Sequence, residues 1–177
     1  PAHLLQPAAG YCGTVRLLDI GIAAKGVAHV LAPPLLADPP PDAHKYSRGM
    51  VAIVAGAMPG AAALSATAGA RAGAGYVLLL GSATDRLPHA IVRRRYASDA
   101  LGDERIGALL IGPGLGRDDD ARDKLAAALA TRHALVLDGD ALHLLDLASL
   151  AARDAPAILT PHAGEFAALF GGGEGSK

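Results

Sequence analysis

The chain has little with which to stack bases, cross-link itself or carry a strong field. Trp is absent, Phe occurs twice, and aromatics make up 3% of 177 residues. That excludes an aromatic platform for nucleobases and leaves Ala, Leu, Val and Ile to pack the interior. One cysteine, Cys12, rules out an internal disulfide. With no second Cys or His nearby, it reads as a small apolar residue near a turn, not as a catalytic thiolate. Sixteen Lys and Arg stand against 17 Asp and Glu, a net charge of −1, so no basic excess exists for nucleic-acid phosphates. No apolar run approaches the roughly 18 residues of a membrane-spanning helix. The opening residues PAHLLQPAAG lack a signal-peptide layout. The cytoplasm is therefore the expected location.

What is present is small and apolar: 51% hydrophobic residues with 22 Gly, a globular composition that favours close approach of helices to a sheet. Residues 14–20 (TVRLLDI), bounded by Gly13 and Gly21, read as a strand. Pro33-Pro34 and Pro39-Pro40-Pro41 follow, and prolines fix φ and donate no amide. We divide the chain accordingly into residues 1–24, a proline-rich linker at 25–44, and a main domain at 45–177.

The main domain alternates apolar runs with helix-tolerant segments. Runs at 50–55, 76–80, 108–111, 134–137 and 157–160 read as strands. Segments 61–72, 118–131, 140–150 and 164–170 read as helices, the second opened by Asp118–Asp120 as cap and dipole-matching charge. The strands are apolar throughout, not alternating, which implies burial on both faces. A mostly parallel sheet covered by helices follows, an α/β fold. Ligands of such sheets bind outside the carboxyl ends of the strands.

Four motifs fall at those ends. Gly56–Ala63 (GAMPGAAA) is a side-chain-poor turn feeding a helix: either a packing turn or an anion-tolerant helix start. Ile111–Asp118 (IGPGLGRD) carries Gly112, Gly114 and Gly116. It is either a βα turn or a backbone cradle in which Arg117 meets phosphate. In Leu137–Leu142 (LDGDAL), Asp138 and Asp140 could orient a hydroxyl or hold hydrated magnesium; otherwise Asp140 caps a helix and Asp138 binds loop amides. Leu159–Phe166 (LTPHAGEF) puts His162 and Glu165 at a helix entry, His162 to hydrogen-bond a bound amide or ribose and Glu165 to cap the helix. A zinc site fails on ligand count, and no metal ligands are assigned. Arg93-Arg94-Arg95 reads as a solvated face, and His143 as a surface residue.

In order, HKYSRG (44–49), the Gly56–Ala63 loop, RAGAG (71–75), GPGLG (112–116), LDGDAL (137–142) and LTPHAGE (159–165) resemble the NAD(P)H-hydrate dehydratases over residues 44–170. Residues 12–22, CGTVRLLDIGI, resemble the end of the epimerase domain that precedes the dehydratase in bifunctional members. The resemblance implies a ribokinase-like fold, incomplete at its C-terminus. It implies ADP- or ATP-dependent dehydration of NADHX or NADPHX (the S-form hydrates of NADH and NADPH), with Mg2+. The implied binding residues are Gly60, Ala61, Ala62, Gly112, Gly114, Gly116, Asp138, Asp140 and His162. The family's catalytic aspartate belongs to a later motif, beyond Lys177, so this chain alone is expected to be inactive, with no catalytic residue of its own. A homo-oligomer is also expected. The alternatives are a ribokinase-like kinase of a vitamin precursor, such as a hydroxymethylpyrimidine or hydroxyethylthiazole, and a non-catalytic nucleotide-binding or assembly module.

Overall fold

The computed structural model describes residues 2–5, 7–22, 35, 37–82 and 87–171. The chain forms two units, Pro1–Asp38 and Pro39–Lys177. In the first, a 3-10 turn at Ala2–Leu4 precedes a single helical turn, α1, at Ala9–Cys12. The strand expected at 14–20 is not formed: the backbone there is irregular, and Leu17, Leu18 and Ile20 are exposed. Its apolar composition resembled a buried strand, but no described segment pairs with it. Residues 25–34 and 36 of the expected linker lie outside the described residues.

The second unit is built on six parallel strands: β1 Met50–Val54, β2 Tyr76–Leu80, β3 Ile91–Arg94, β4 Ile106–Ile111, β5 Ala134–Leu137 and β6 Ala157–Leu159. Their order across the sheet is β3-β2-β1-β4-β5-β6. The chain adds strands outward from β1 to β3, then returns to the other side of β1 with β4. The β1/β4 boundary is thus the point where loops at the carboxyl ends diverge. The expected parallel sheet is present. The arginine run is exposed, as expected, and its first two residues, Arg93 and Arg94, end the outer strand β3, which the sequence reading did not include. Such a strand tolerates charge because its outer side meets water.

Helices cover both faces. Residues of each strand alternate between them. On one face Ala52, Val54, Leu78, Leu80, Leu109, Ile111, Leu135 and Leu137 pack with Ala121, Leu125 and Ala128 of α3 (Asp119–Leu129). On the other, Ile53, Val77, Leu79 and Ile91 pack with Ala62 and Ala66 of α2 (Pro59–Arg71). Alanine at the contact lets each helix lie close to the sheet. Asp118 caps α3 by accepting the Ala121 amide at 2.9 Å, as its sequence position implied. At the far end of α3 the Arg153 guanidinium gathers the carbonyls of Leu129, Thr131 and His133.

The helix expected over 140–150 is two short ones, α4 Asp140–Leu144 and α5 Leu147–Ala151. Asp146 separates them because its carboxylate accepts from the Ala148 and Ser149 amides and so starts the second. The last helix, α6, spans Ala163–Phe170. The HKYSRG segment lies at the opposite end of the sheet from the βα loops. There Tyr46 stacks on Tyr76, Arg48 donates to the Gly73 carbonyl, and Gly75 runs so close to Lys45 that a Cβ would sit 2.2 Å from its carbonyl oxygen. That motif braces the entry to β1 and β2.

Candidate functional site

Four βα loops at the carboxyl rim are tied to one another in series. After β1, the amides of Ala57 and Met58 donate to the carbonyls of Leu115 (3.1 Å) and Gly114 (2.9 Å) in the loop after β4. The approach is so close that a Cβ on Gly56 would stand 2.1 Å from the Leu115 oxygen. One on Gly114 would stand 2.6 Å from the Met58 Cβ. The β4 loop in turn abuts the β5 loop: a Cβ on Gly112 would lie 1.7 Å from the Asp138 carbonyl oxygen. Gly112, with φ +127°, and Gly114, with φ +62°, also hold backbone shapes that side chains disfavour. Beyond β6, Thr160 donates its hydroxyl to Asp138 Oδ1 at 2.8 Å.

The two aspartates act as ties. Asp140 is the first residue of α4, and Gly139 occupies the cap position. The expectation that Asp140 caps the helix is therefore corrected: its carboxylate turns away, to the Gly116 amide (3.0 Å) and Arg117 Nε (2.8 Å). Arg117 is engaged there, and the Gly116 amide is spent, so the GPGLG loop is fastened from below instead of presenting both as a phosphate cradle. Asp138 accepts from Thr160, not from loop amides, which corrects the second expectation. The Arg117 hydrogen bond, helped by the Gly116 amide against a burial cost, holds the Asp140 carboxyl below the usual carboxylate range. Stability from a depressed carboxyl is present above the unfolded value, about 3.9, and is lost as pH falls through the folded one. Asp140→Asn should therefore cost about 1 kcal/mol near neutral pH, after allowing for the exposed arginine. In urea titrations the gap to wild type should close in acid; a gap independent of pH would contradict the pairing.

At the start of α2, Gly60 is exposed with open space where a Cβ would go, Ala61 is half-buried, and Ala62 is buried in the core. His162 is exposed and caps α6: its Nδ1 accepts from the amides of Gly164 (3.0 Å) and Glu165 (3.3 Å). Glu165 completes the capping box, its Oε2 accepting from the His162 amide at 2.9 Å. Glu165 is the buried acid of this rim, and His143 of α4 reaches it at 3.8 Å.

The rim thus links Gly60–Ala62, Gly112–Gly116, Asp138, Asp140 and His162 through bonded loops. A groove of about 510 Å³ runs along the α2 side of the sheet, lined by Pro113, Asp138 and Thr160 with Ser65, Gly69, Leu110 and Val136. Gly60, Gly114 and His162 are not in its lining. A second cleft, about 500 Å³, opens at the ends of β1–β3 and was not anticipated. There Lys124 bonds the Ala55 carbonyl and Asp120 and lies over the Tyr96 ring. Burial, then Asp120 and Asp123, push the Tyr96 hydroxyl above its ordinary value. The Asp120–Lys124 spacing of one helical turn was its only sequence signal. No helix among the described residues is long and apolar enough to cross a membrane. No group of three or more His, Cys, Asp or Glu among them could hold a metal ion.

Comparison with known proteins agrees with the sequence resemblance. The family model described as NAD(P)H-hydrate dehydratase matches residues 51–175. The bifunctional NAD(P)H-hydrate repair enzyme Nnr of Mycobacterium tuberculosis is 38% identical over 186 residues, covering 97% of this chain and 37% of that protein. The ADP-dependent (S)-NAD(P)H-hydrate dehydratase of Lactiplantibacillus plantarum is 36% identical, covering 75% and 52%. Among solved structures, the ADP/ATP-dependent NAD(P)H-hydrate dehydratase of Bacillus subtilis, co-crystallised with ATP and Mg2+, aligns with a TM-score of 0.62 at 28% identity. That alignment covers 77% of this chain and 52% of that one. A ribokinase-like superfamily protein from Enterococcus faecalis aligns at 0.62 and 26%, covering 75% and 51%. The chain spans about a third of the length of the bifunctional relative and about half that of the others. On the family match and the shared six-stranded architecture, this chain belongs to the NAD(P)H-hydrate dehydratase family and has its ribokinase-like fold.

Proposed function

We propose that this chain supplies part of the binding site for hydrated NADH or NADPH in an ADP- or ATP-dependent dehydratase. The observation that carries this reading is the serial tying of the β1, β4, β5 and β6 loops at one rim, where Gly112 and Gly114 let the loops pack against one another. The reaction needs the hydrate hydroxyl to attack the terminal phosphoryl group and lose its proton, while the bridging P–O bond of the nucleotide breaks and ADP leaves from ATP, or AMP from ADP. Phosphate then leaves with the C–O bonding pair as the ring nitrogen supplies electrons, and loss of a proton from the neighbouring carbon restores the dihydronicotinamide. In this reading the start of α2 at Gly60–Ala62, Gly114 and His162 touch the hydrated cofactor. Asp138, Asp140, Gly112 and Gly116 hold the loops in place. All of these bind or position; none is assigned the proton transfers.

The described residues do not fit a protein-built Mg2+ site: Asp138 and Asp140 are engaged by Thr160 and Arg117, and no third ligand stands beside them. Mg2+ would enter on the nucleotide phosphates, its usual mode. Residues 1–24 would be the tail of an epimerase-like domain in a bifunctional protein, supported by alignment of the Mycobacterium relative over 97% of this chain. We further propose a homo-oligomer in the cytoplasm, where the reduced cofactor pool is used.

Calorimetry on the 177-residue chain with NADPH hydrate, NADPH, ADP and ATP tests the site. Binding of the hydrate is expected. No heat with the hydrate, together with phosphorylation of a hydroxymethylpyrimidine or hydroxyethylthiazole, would replace this reading with the kinase one.

A further inference from the structure

We infer that the cleft at the ends of β1, β2 and β3 is a phosphate-binding site, in which Lys124, Arg95, Tyr96 and Ser82 donate to the phosphate and Asp120 holds its place until it arrives. The cleft, about 500 Å³, is lined by these five residues with Ala55, Gly56 and Gly81. It shares no lining residue with the groove beside Asp138 and Thr160. Three elements build it. The Gly81 amide donates to the Arg94 carbonyl at 2.8 Å, which ties the end of β2 to the end of β3 and fixes the backbone that carries Arg95 and Tyr96. Lys124 comes from α3 with its side chain 12% exposed. Its ammonium is anchored to the Ala55 carbonyl at 3.3 Å and lies 5.1 Å from the centre of the Tyr96 ring.

An ammonium so nearly buried needs an anion beside it. That anion is Asp120, at 2.6 Å and one turn earlier on α3. The two partners differ in freedom. Asp120 is 67% exposed, so water can take its carboxylate back at little cost, whereas Ala55 and Tyr96 keep Lys124 in place. The fixed ammonium therefore carries an exchangeable anion. Arg95 and Ser82 are exposed in the same cleft, and neither side chain hydrogen-bonds another described residue. The Tyr96 hydroxyl remains a donor, because burial, then Asp120 and Asp123, hold it protonated beyond its ordinary range. Asp123 does not line the cleft. A phosphate brings three oxygens and up to two charges, against the single charge of the carboxylate it displaces. Gly56 belongs to the loop that runs on to Gly60, so the cleft adjoins the rim. On the dehydratase reading the phosphate is one of the hydrated cofactor's own, either the bridging diphosphate or the 2′-phosphate of NADPH. The preference for phosphate does not rest on that reading.

Titration of the whole chain with inorganic phosphate, against sodium chloride at matched ionic strength, tests the site through backbone 1H–15N spectra. The amides of Gly56, Gly81 and Ser82 should shift with phosphate, with a dissociation constant of about 5 mM, and not with chloride. Arg95→Ala should weaken phosphate about fivefold. Asp120→Asn, which removes the competing carboxylate, should tighten it about threefold. Both residues are exposed, so the fold should survive in each variant, as circular dichroism would show. Equal shifts with chloride, no shift in either wild type or Asp120→Asn, or weaker binding in Asp120→Asn would overturn the inference. Competition then identifies the source. Displacement of phosphate by NADPH but not NADH would assign the 2′-phosphate, and displacement by both would assign the diphosphate. Phosphate binding that neither cofactor displaces would leave the site standing and break its link to the dehydratase reading. Calorimetric binding of NADPH hydrate with no response to phosphate would defeat this inference alone.

Discussion

Gly112→Ala is expected to cost about 4 kcal/mol, a large share of the stability of a domain of this size. Two independent penalties meet at this residue. Its φ of +127° is one that side chains rarely adopt, which costs about 1–3 kcal/mol. The added Cβ would also stand 1.7 Å from the carbonyl oxygen of Asp138 and 2.8 Å from the Ala141 Cβ. The first contact is backbone, so relief requires β4 and β5 to part, and overpacking of that kind adds about 1–3 kcal/mol. Domains of this size hold about 5–15 kcal/mol in all. Urea midpoints read the difference, and a loss below about 1 kcal/mol would contradict the described loop contact. Gly60→Ala is the matched control. It has open space for its Cβ and no positive φ, so the fold should be unchanged within about 0.5 kcal/mol. If Gly60 faces the hydrated cofactor, the same variant should nonetheless bind NADPH hydrate more weakly.

Leu109→Ala should cost about 2–5 kcal/mol. Leu109 is fully buried in β4, between β1 and β5, with sheet residues and the α3 side of the core around it. Truncation removes apolar surface from a place where both neighbouring strands are hydrogen-bonded and cannot close in. Leu64, on α2 and 74% exposed, offers the contrast; its alanine variant should change stability by less than about 0.5 kcal/mol. Equal effects at the two positions in chemical denaturation would mean that β4 is not central.

The parallel sheet was legible because a strand buried on both faces needs an unbroken apolar run, and β1, β2, β4 and β5 each have one. The glycine motifs were legible as loops for a related reason: strands that end against one another leave no room for side chains. Strand order was not, since the sequence of β1 holds no mark of which neighbours it will pair. The arginine run concealed β3, because charge at an outer position looks like a loop. Residues 14–20 erred the other way, with strand composition but no partner within the described residues. Side-chain destinations were the hardest part. Asp140 sits where a helix cap should be, yet Arg117, 23 residues earlier, offers its carboxylate a charged partner that a cap cannot match. The capping role of Glu165 was readable from its spacing to His162; the use of the His162 ring itself as the cap was not.

The position of β1 bears on how the polypeptide is born. Met50 pairs with Tyr76 on one side but with Ile106 on the other. While the ribosome is still making the segment that becomes β4, β1 carries a bare row of amides and carbonyls along an apolar Met-Val-Ala-Ile-Val stretch. Such an edge invites another nascent strand. The window closes only when Ile111 has emerged from the exit tunnel, so slow translation between β2 and β4 should raise aggregation, and a holdase chaperone engaged at that stage should lower it.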